Sequence, residues 1–312
     1  MDWVVEEAFA DIPSMHSSVR RVIPVAIRRW RKGVISSGVE FGEFMRALRA
    51  DNYDIIIDAQ GLIKSAIVSL LAKGGRVGYD WASAREPLAS ITYTGKLSVP
   101  TGVHAVERIR QLFAGALRYE TPGTDADFGL NLKAERAADQ VMFLHGTTWN
   151  SKHWPDGWWI TLARMITSAG LDVLVAHGND AELARARQIA AAVPGVRVMD
   201  RLSVRDLGRE IGRCVGVVSV DSGPGHLAAA VGVPMVALYG PTDPVLTGPV
   251  GGNHTVFAST HMPCIPCLKR ECQYAGTLPP GSPEPPCFAQ TTPARVWDAL
   301  RRFAELREQS GP

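Results

Sequence analysis

The run Ser219-Val220-Asp221-Ser222-Gly223-Pro224-Gly225-His226 lies between an apolar stretch ending at Val218 and an Ala-rich segment, Leu227 to Val231. A strand that turns directly into a helix leaves amide N–H groups at the helix start without intrahelical acceptors, and such groups gather anions. Asp221 and Ser222 are helix-entry residue types, Gly223 and Gly225 remove the Cβ atoms that would hold a ligand off, and His226 projects from the first turn. Taken alone, the run is equally an ordinary capped helix. Company favours a phosphate-bearing ligand. Thr147, Thr148 and Lys152 follow the apolar run Val141 to Leu144, so two hydroxyls, loop amides and one ammonium could gather around a diphosphate, with Lys152 as the charge partner; in isolation, a lysine after a turn reads more readily as a solvated surface residue. Glu182 follows another strand-end loop, where a carboxylate can accept two hydrogen bonds from ribose hydroxyls; its plainer role is a first-turn acid in the helix dipole.

A second group of residues carries positive charge. Arg28-Arg29-Trp30-Arg31-Lys32 is the densest basic run, suited to phosphate groups at a lipid headgroup surface or on an anionic acceptor, or else a solvated charged face. Asp58-Ala59-Gln60-Gly61-Leu62-Ile63-Lys64-Ser65 closes an apolar strand and offers polar contacts such as Gln60. Arg85 and Glu86 occupy a further loop, where they could equally pair with each other. Cys264, Cys267, Cys272 and Cys287 supply four thiols and one CxxC, compatible with structural zinc, but no second CxxC follows; loose reduced cysteines are the default. His145, His153 and His226 are too sparse for a metal ligand set. GxGxxG, GxxxxGK[ST], HExxH and nucleophile-elbow patterns are all absent, so a dinucleotide oxidoreductase, a P-loop NTPase and a hydrolase are not indicated.

These residues need strand ends to present them. From Asp139 onward, Val141 to Leu144, Leu171 to Ala176, Val196 to Met199, Val215 to Val220 and Met235 to Tyr239 read as strands alternating with helices, the pattern of a doubly wound parallel sheet. Four of these strands run into polar or glycine-rich loops, beginning at His145, His177, Asp221 and Gly240, where ligands of open α/β sheets bind. The first part repeats the pattern more weakly. Its strands are Trp3 to Val5, Val22 to Val25, Ile55 to Ile57 and Val77 to Tyr79, with helices near Phe41 to Ala50 and Leu62 to Lys73. Ile109, Leu112, Phe113, Ala116 and Leu117 form an apolar stripe at helical spacing, followed by a linker. The expected division is an N-terminal Rossmann-like domain over residues 1–125, a C-terminal one over 126–290, and a closing helix within 291–312 carried by Val296, Leu300, Phe303 and Leu306. The opening Asp2-Trp3-Val4-Val5 reads as an inner strand whose preceding βα unit is missing.

With 312 residues the chain is long enough for two domains, and a hydrophobic content of 46% suffices for packed cores. A net charge of +2 argues against a general nucleic-acid binder. Five cysteines in a chain this long do not form a disulfide framework, and no stretch is apolar enough for a bilayer span or a signal peptide, which leads to a cytoplasmic expectation.

Several of these stretches together resemble the lipopolysaccharide heptosyltransferases of glycosyltransferase family 9, most closely the branch that adds the first heptose to the inner core. They are Asp2 to Glu7, Ile23 to Lys32, Asp58 to Gly61, Ala84 to Ser90, His104 to Arg108, Lys152 to Pro155, Asp221 to Gly223 with His226, and Tyr239 to Pro244. The resemblance implies a GT-B architecture, two facing Rossmann-like domains with a cleft between them. It implies inverting transfer of L-glycero-D-manno-heptose from ADP-heptose to Kdo-lipid A at the cytoplasmic face of the inner membrane, with no cofactor. Carried over by motif, donor contacts fall at Thr147, Thr148, Lys152, Glu182, Asp221, Ser222, Gly223 and His226, with Lys152 steadying the leaving group; acceptor contacts fall at Arg28, Arg29, Arg31, Lys32, Gln60 and Arg85. The family's general base is an Asp in a Ser-x-x-Gly-Asp loop after the first strand, a motif this sequence lacks, so the base is not assigned. Related heptosyltransferases can carry a similar Cys-x-Pro-Cys segment, so Pro263 to Cys287 leaves transfer of the first and of the second heptose both open. Transfer of the second heptose, a sugar-nucleotide epimerase, and a nucleotide-sugar binder without turnover are the competing expectations.

Overall fold

The computed structural model describes residues 1–30, 37–130, 132 and 139–309, with the side chains of 37 and 304–309 left aside. Arg31, Lys32 and the side chain of Leu306 therefore lie outside the described residues. The chain divides into two compact units, Met1–Asp125 and Ala126–Pro312.

In the first unit, β1 (Asp2–Glu6) pairs in parallel with β2 (Arg21–Val25), and β3 (Tyr53–Asp58), β4 (Gly74–Tyr79) and β5 (Gly95–Leu97) form a separate three-stranded parallel sheet. The helices are α1 (Asp11–Ser14), α2 (Ile27–Trp30), α3 (Ser37–Leu48), α4 (Ile63–Leu71) and α5 (Ala105–Leu117). One apolar cluster serves both sheets: Ile23 and Val25 of β2 meet Phe44 and Leu48 of α3, with Val4 of β1 and Ile56 of β3 packed against them. The short strand β5 escapes a reading of apolar runs because Gly95-Lys96-Leu97 holds a single large apolar side chain.

The second unit holds one six-stranded parallel sheet. Its strands are β6 (Gln140–Leu144), β7 (Asp172–Val175), β8 (Val196–Val198), β9 (Gly216–Val220), β10 (Met235–Tyr239) and β11 (His254–Ala258), in spatial order β11-β10-β9-β6-β7-β8. The connecting helices are α6 (Asp156–Ser168), α7 (Asp180–Ala192), α8 (Val204–Arg213), α9 (Gly223–Val231) and α10 (Pro244–Thr247), with α11 (Pro293–Gln309) closing the chain. β11 is an edge strand, begins with His254 and Thr255 and is only half-buried, so its apolar signal is weak. Alternate residues of β6 face opposite covered sides: Val141 and Phe143 join a core with Trp159, Leu162 and Ile166 of α6 and Val296 and Leu300 of α11. Met142 on the other side is equally buried. Each such large apolar side chain contributes about 1.5–3 kcal/mol by leaving water. Trp154 and Trp159 are core residues; the Trp154 indole N–H donates to the Thr291 carbonyl at 2.9 Å.

The order of this sheet reverses direction between β6 and β9, since the chain runs outward from β6 to β8 and then crosses to β9 and β10. Parallel sheets bind ligands beyond the carboxyl ends of strands at such a switch. The loops after β6 and β9 are therefore the place to look.

Candidate functional site

Lys152 sits at the end of a single 3-10 turn, Asn150–Lys152, in the loop that leaves β6. Its ammonium lies 2.7 Å from Oδ2 of Asp221 at the end of β9, and 4.5 Å from the centroid of the Trp149 ring. The same Oδ2 accepts a 2.7 Å hydrogen bond from Thr242 Oγ1, in the loop after β10. Both Lys152 and Asp221 are largely buried, with 16% and 9% side-chain exposure, so the pair is desolvated and its position is fixed by geometry. Thr147 Oγ1 adds a 3.3 Å bond to the Asp221 carbonyl. Three strand ends thus meet at one carboxylate.

The start of α9 differs from its sequence reading. Ser222 is the N-cap, its hydroxyl accepting from the Gly225 amide at 3.3 Å, whereas Asp221 turns away toward Lys152 and Thr242. Pro224 has no N–H to offer and the Gly225 amide is already engaged, so the start of α9 presents few main-chain donors, and the positive potential there comes chiefly from Lys152 and the helix dipole. Gly225 is required by the packing of α9 on β9, because a Cβ there would lie 2.5 Å from Ser219 Oγ; Gly223 faces open space. His226 is exposed on the first turn of α9.

Glu182 occupies the first turn of α7, which Asn179 caps by accepting from the Glu182 amide at 3.0 Å. Its carboxylate accepts from the Gly178 amide at 2.7 Å and lies against Gly146, where a Cβ would come within 2.4 Å of it. Glu182 and the loop after β6 therefore adjoin, and Thr148 is exposed in that same loop. Thr147, Lys152, Glu182, Asp221, Ser222, Gly223 and His226 all belong to the loops and first helical turns that follow the carboxyl ends of this one sheet's strands.

Behind the loop lies a group that sequence reading treated as scattered. His145 is fully buried, neither ring nitrogen has a hydrogen-bond partner, and its ring meets Trp159 edge-on at 6.2 Å. Burial, with the Arg185 guanidinium nearby, pushes its pKa down to about 4. His153 Nδ1 lies 3.2 Å from the Arg185 guanidinium, which itself lies 2.8 Å from Asp156. No spacing signal links positions 145, 153, 177 and 185; only the adjacency of β6 and β7 does. Among the described residues no three His, Cys, Asp or Glu side chains are placed to hold a metal ion. The four late cysteines are unpaired thiols that line one small cleft, shared with Ser151 and Pro241.

In the first unit, Arg29 is committed to acidic partners, bidentate to Glu7 at 3.0 Å and paired with Glu40 at 2.8 Å. Arg28 lies over the Phe9 ring at 5.9 Å, and Trp30 packs against Phe41 and Phe44. Gln60 is exposed, its backbone N–H donating to Asp58, a buried carboxylate that also accepts from Ser65 and Tyr93. Glu86 accepts from the Ile63 amide at 2.6 Å, at the start of α4, and forms no ion pair with Arg85 among the described residues; Arg85 is exposed.

A model of glycosyltransferase family 9 (heptosyltransferase) matches residues 41–277. Lipopolysaccharide heptosyltransferase 1 of Pseudomonas aeruginosa is 44% identical over 309 residues, covering 95% of this chain and 86% of that protein. Among solved structures, the E. coli heptosyltransferase WaaC with ADP is similar with a TM-score of 0.78 and 43% identity over 83% of each chain. The same E. coli enzyme with ADP-2-deoxy-2-fluoro heptose gives a TM-score of 0.76, again at 43% identity and 83% of each chain.

Proposed function

The chain belongs to glycosyltransferase family 9, the heptosyltransferases, with a fold of the GT-B class, and from that premise we propose how its second unit takes the sugar donor. It is a glycosyltransferase that transfers heptose in lipopolysaccharide inner-core synthesis. The donor is ADP-heptose, and the observation that carries the reading is the Lys152 ammonium held by Asp221 at the switch point beside the start of α9.

In the reaction, a hydroxyl of the acceptor attacks the anomeric carbon of heptose and the bond from that carbon to the diphosphate oxygen breaks. The hydroxyl proton passes to a carboxylate, and ADP leaves carrying the electron pair. Charge grows on the diphosphate as the bond opens. Lys152 and the positive end of α9 lie where that charge develops, and groups fixed in advance stabilise it without reorganising. Glu182 accepts the ribose hydroxyls, and Thr147 and Thr148 line the diphosphate. The donor brings its own activated leaving group, so the chemistry calls on no redox cofactor.

The acceptor is Kdo-lipid A, an anionic glycolipid, with Arg28, Arg29, Arg31, Lys32, Gln60 and Arg85 as its contacts. The place of work is the cytoplasmic face of the inner membrane, where that lipid is presented. This assignment is supported by the charge complementarity between a basic run and an anionic acceptor.

Heating the protein with and without ADP or ADP-heptose tests the donor reading. A rise in Tm with either ligand is expected, since a ligand that binds only the folded state stabilises it; no rise with either refutes it.

A further inference from the structure

Three consecutive residues of the cysteine-bearing segment grip the turn that carries Lys152. The Lys269 carbonyl accepts from Ser151 Oγ at 2.6 Å, the Arg270 carbonyl accepts from the Ser151 amide at 3.0 Å, and Glu271 accepts from the Asn150 side-chain amide at 2.9 Å. The Arg270 guanidinium lies 5.9 Å from the Trp149 ring centroid, on the same indole that Lys152 approaches. One residue earlier, the Leu268 amide donates to the Pro241 carbonyl at 3.1 Å, beside Thr242. Leu268 itself has φ of 51°, a left-handed conformation that costs a branched side chain energy and persists only where neighbours fix it. The segment thus touches both loops whose side chains meet at Asp221 Oδ2.

The anchoring of this segment is equally specific. Cys264, Cys267, Cys272 and Cys287 line the cleft that Ser151 and Pro241 close, and Met262 and Ile265 pack against the core of the second unit. Ser151 is buried, so its two hydrogen bonds are shielded from competing water. A lysine on a single 3-10 turn has little rigidity of its own, because so short a helix supplies few internal bonds.

We infer that residues 264–272 form a strap that positions Lys152, with Ser151 as the positioning residue through which it acts. This rests on Lys152 contacting the ADP portion of the donor. By linkage, whatever the strap contributes to ADP binding, ADP returns to the strap as resistance to opening.

Thiol alkylation reads that return directly. The half-buried Cys264, Cys267 and Cys272 report on the strap, while Cys214 is buried in the core away from it. Alkylation with N-ethylmaleimide, followed residue by residue by mass spectrometry, is expected to slow at strap cysteines when ADP saturates the protein, about fivefold or more beyond any slowing at Cys214, which reports opening of the whole unit. Ser151→Ala is expected to weaken ADP binding about tenfold and to abolish most of the protection, and Ser151→Thr, which keeps the hydroxyl, to restore both. If ADP raises Tm but leaves the strap thiols reacting at their original rates, the inference fails while the donor site stands. Ser151→Ala binding ADP as tightly as the parent overturns it as well. If ADP does not raise Tm, the donor reading falls and the strap's role falls with it.

Discussion

The ammonium of Lys152 lies 2.7 Å from the carboxylate of Asp221, joining residues 69 positions apart across the ends of β6 and β9. Both side chains are mostly removed from water, and a buried ion pair is stable only when its remaining capacity is satisfied. Thr242 Oγ1 supplies that satisfaction, donating to the same oxygen. Thr242→Val should therefore cost about 1.5–3 kcal/mol in the stability of the arrangement, the range for a hydrogen bond to a charged group. ADP titration should show about tenfold weaker binding for Thr242→Val and near-parental binding for Thr242→Ser. Equal behaviour of the Val and Ser variants would remove Thr242 from the site.

Two glycines separate function from folding. A Cβ at Gly146 would meet the end of the Glu182 side chain, which can swing aside, whereas a Cβ at Gly225 would meet Ser219 Oγ on the buried strand β9. Gly146→Ala should leave Tm within a few degrees of the parent and weaken binding of ribose-bearing ligands. Gly225→Ala should destabilise the fold by about 1–3 kcal/mol, as overpacking does. Thermal melts and ADP titrations of both variants distinguish these outcomes; the reverse pattern would misplace both residues.

Acid should loosen the second unit before the carboxylates titrate. The His145 pKa is depressed to about 4 by burial and by the nearby Arg185 charge, so the unfolded chain binds a proton that the folded one refuses between pH 6.5 and 4. The stability that this residue contributes is fully present above pH 6.5 and is lost as pH falls through that window, by about 3 kcal/mol in all. His145→Leu should flatten the pH dependence of denaturant unfolding over this range relative to the parent. Superimposable pH profiles would show that His145 is not the group responsible.

The basic run is expected to serve the acceptor and not the donor. Replacing Arg28, Arg29, Arg31 and Lys32 by Ser should reduce transfer to the anionic glycolipid while ADP binding stays within about twofold, because these residues belong to the other compact unit. Arg29 already pairs with Glu7 and Glu40, both partly exposed, so its loss should affect stability little. Parallel loss of acceptor use and ADP binding would refute this division.

Much of the donor unit was legible in the chain, because apolar strands of a parallel sheet and the polar loops that follow them are local signals. Val141 to Leu144 and Met235 to Tyr239 were read within a residue of β6 and β10. Lys152, Asp221 and Glu182 stood out by residue type at strand ends. Their partnerships did not, since the ion pair and the Asp221–Thr242 bond depend on strand order and not on spacing. Asp221 was read as a helix-entry residue, and the structure gives that task to Ser222 alone. The grip of Lys269, Arg270 and Glu271 on Asn150 and Ser151 spans about 120 residues, and no local pattern announces it. Likewise His145, His153 and His177 form a cluster only once β6 and β7 lie side by side.

Isothermal titration of ADP into the parent protein and Lys152→Gln tests the central claim most directly. The account predicts saturable binding to the parent and roughly 10–100-fold weaker binding to the variant, the equivalent of about 1.5–3 kcal/mol for a charge-assisted contact. ADP binding of equal strength to both proteins would contradict it.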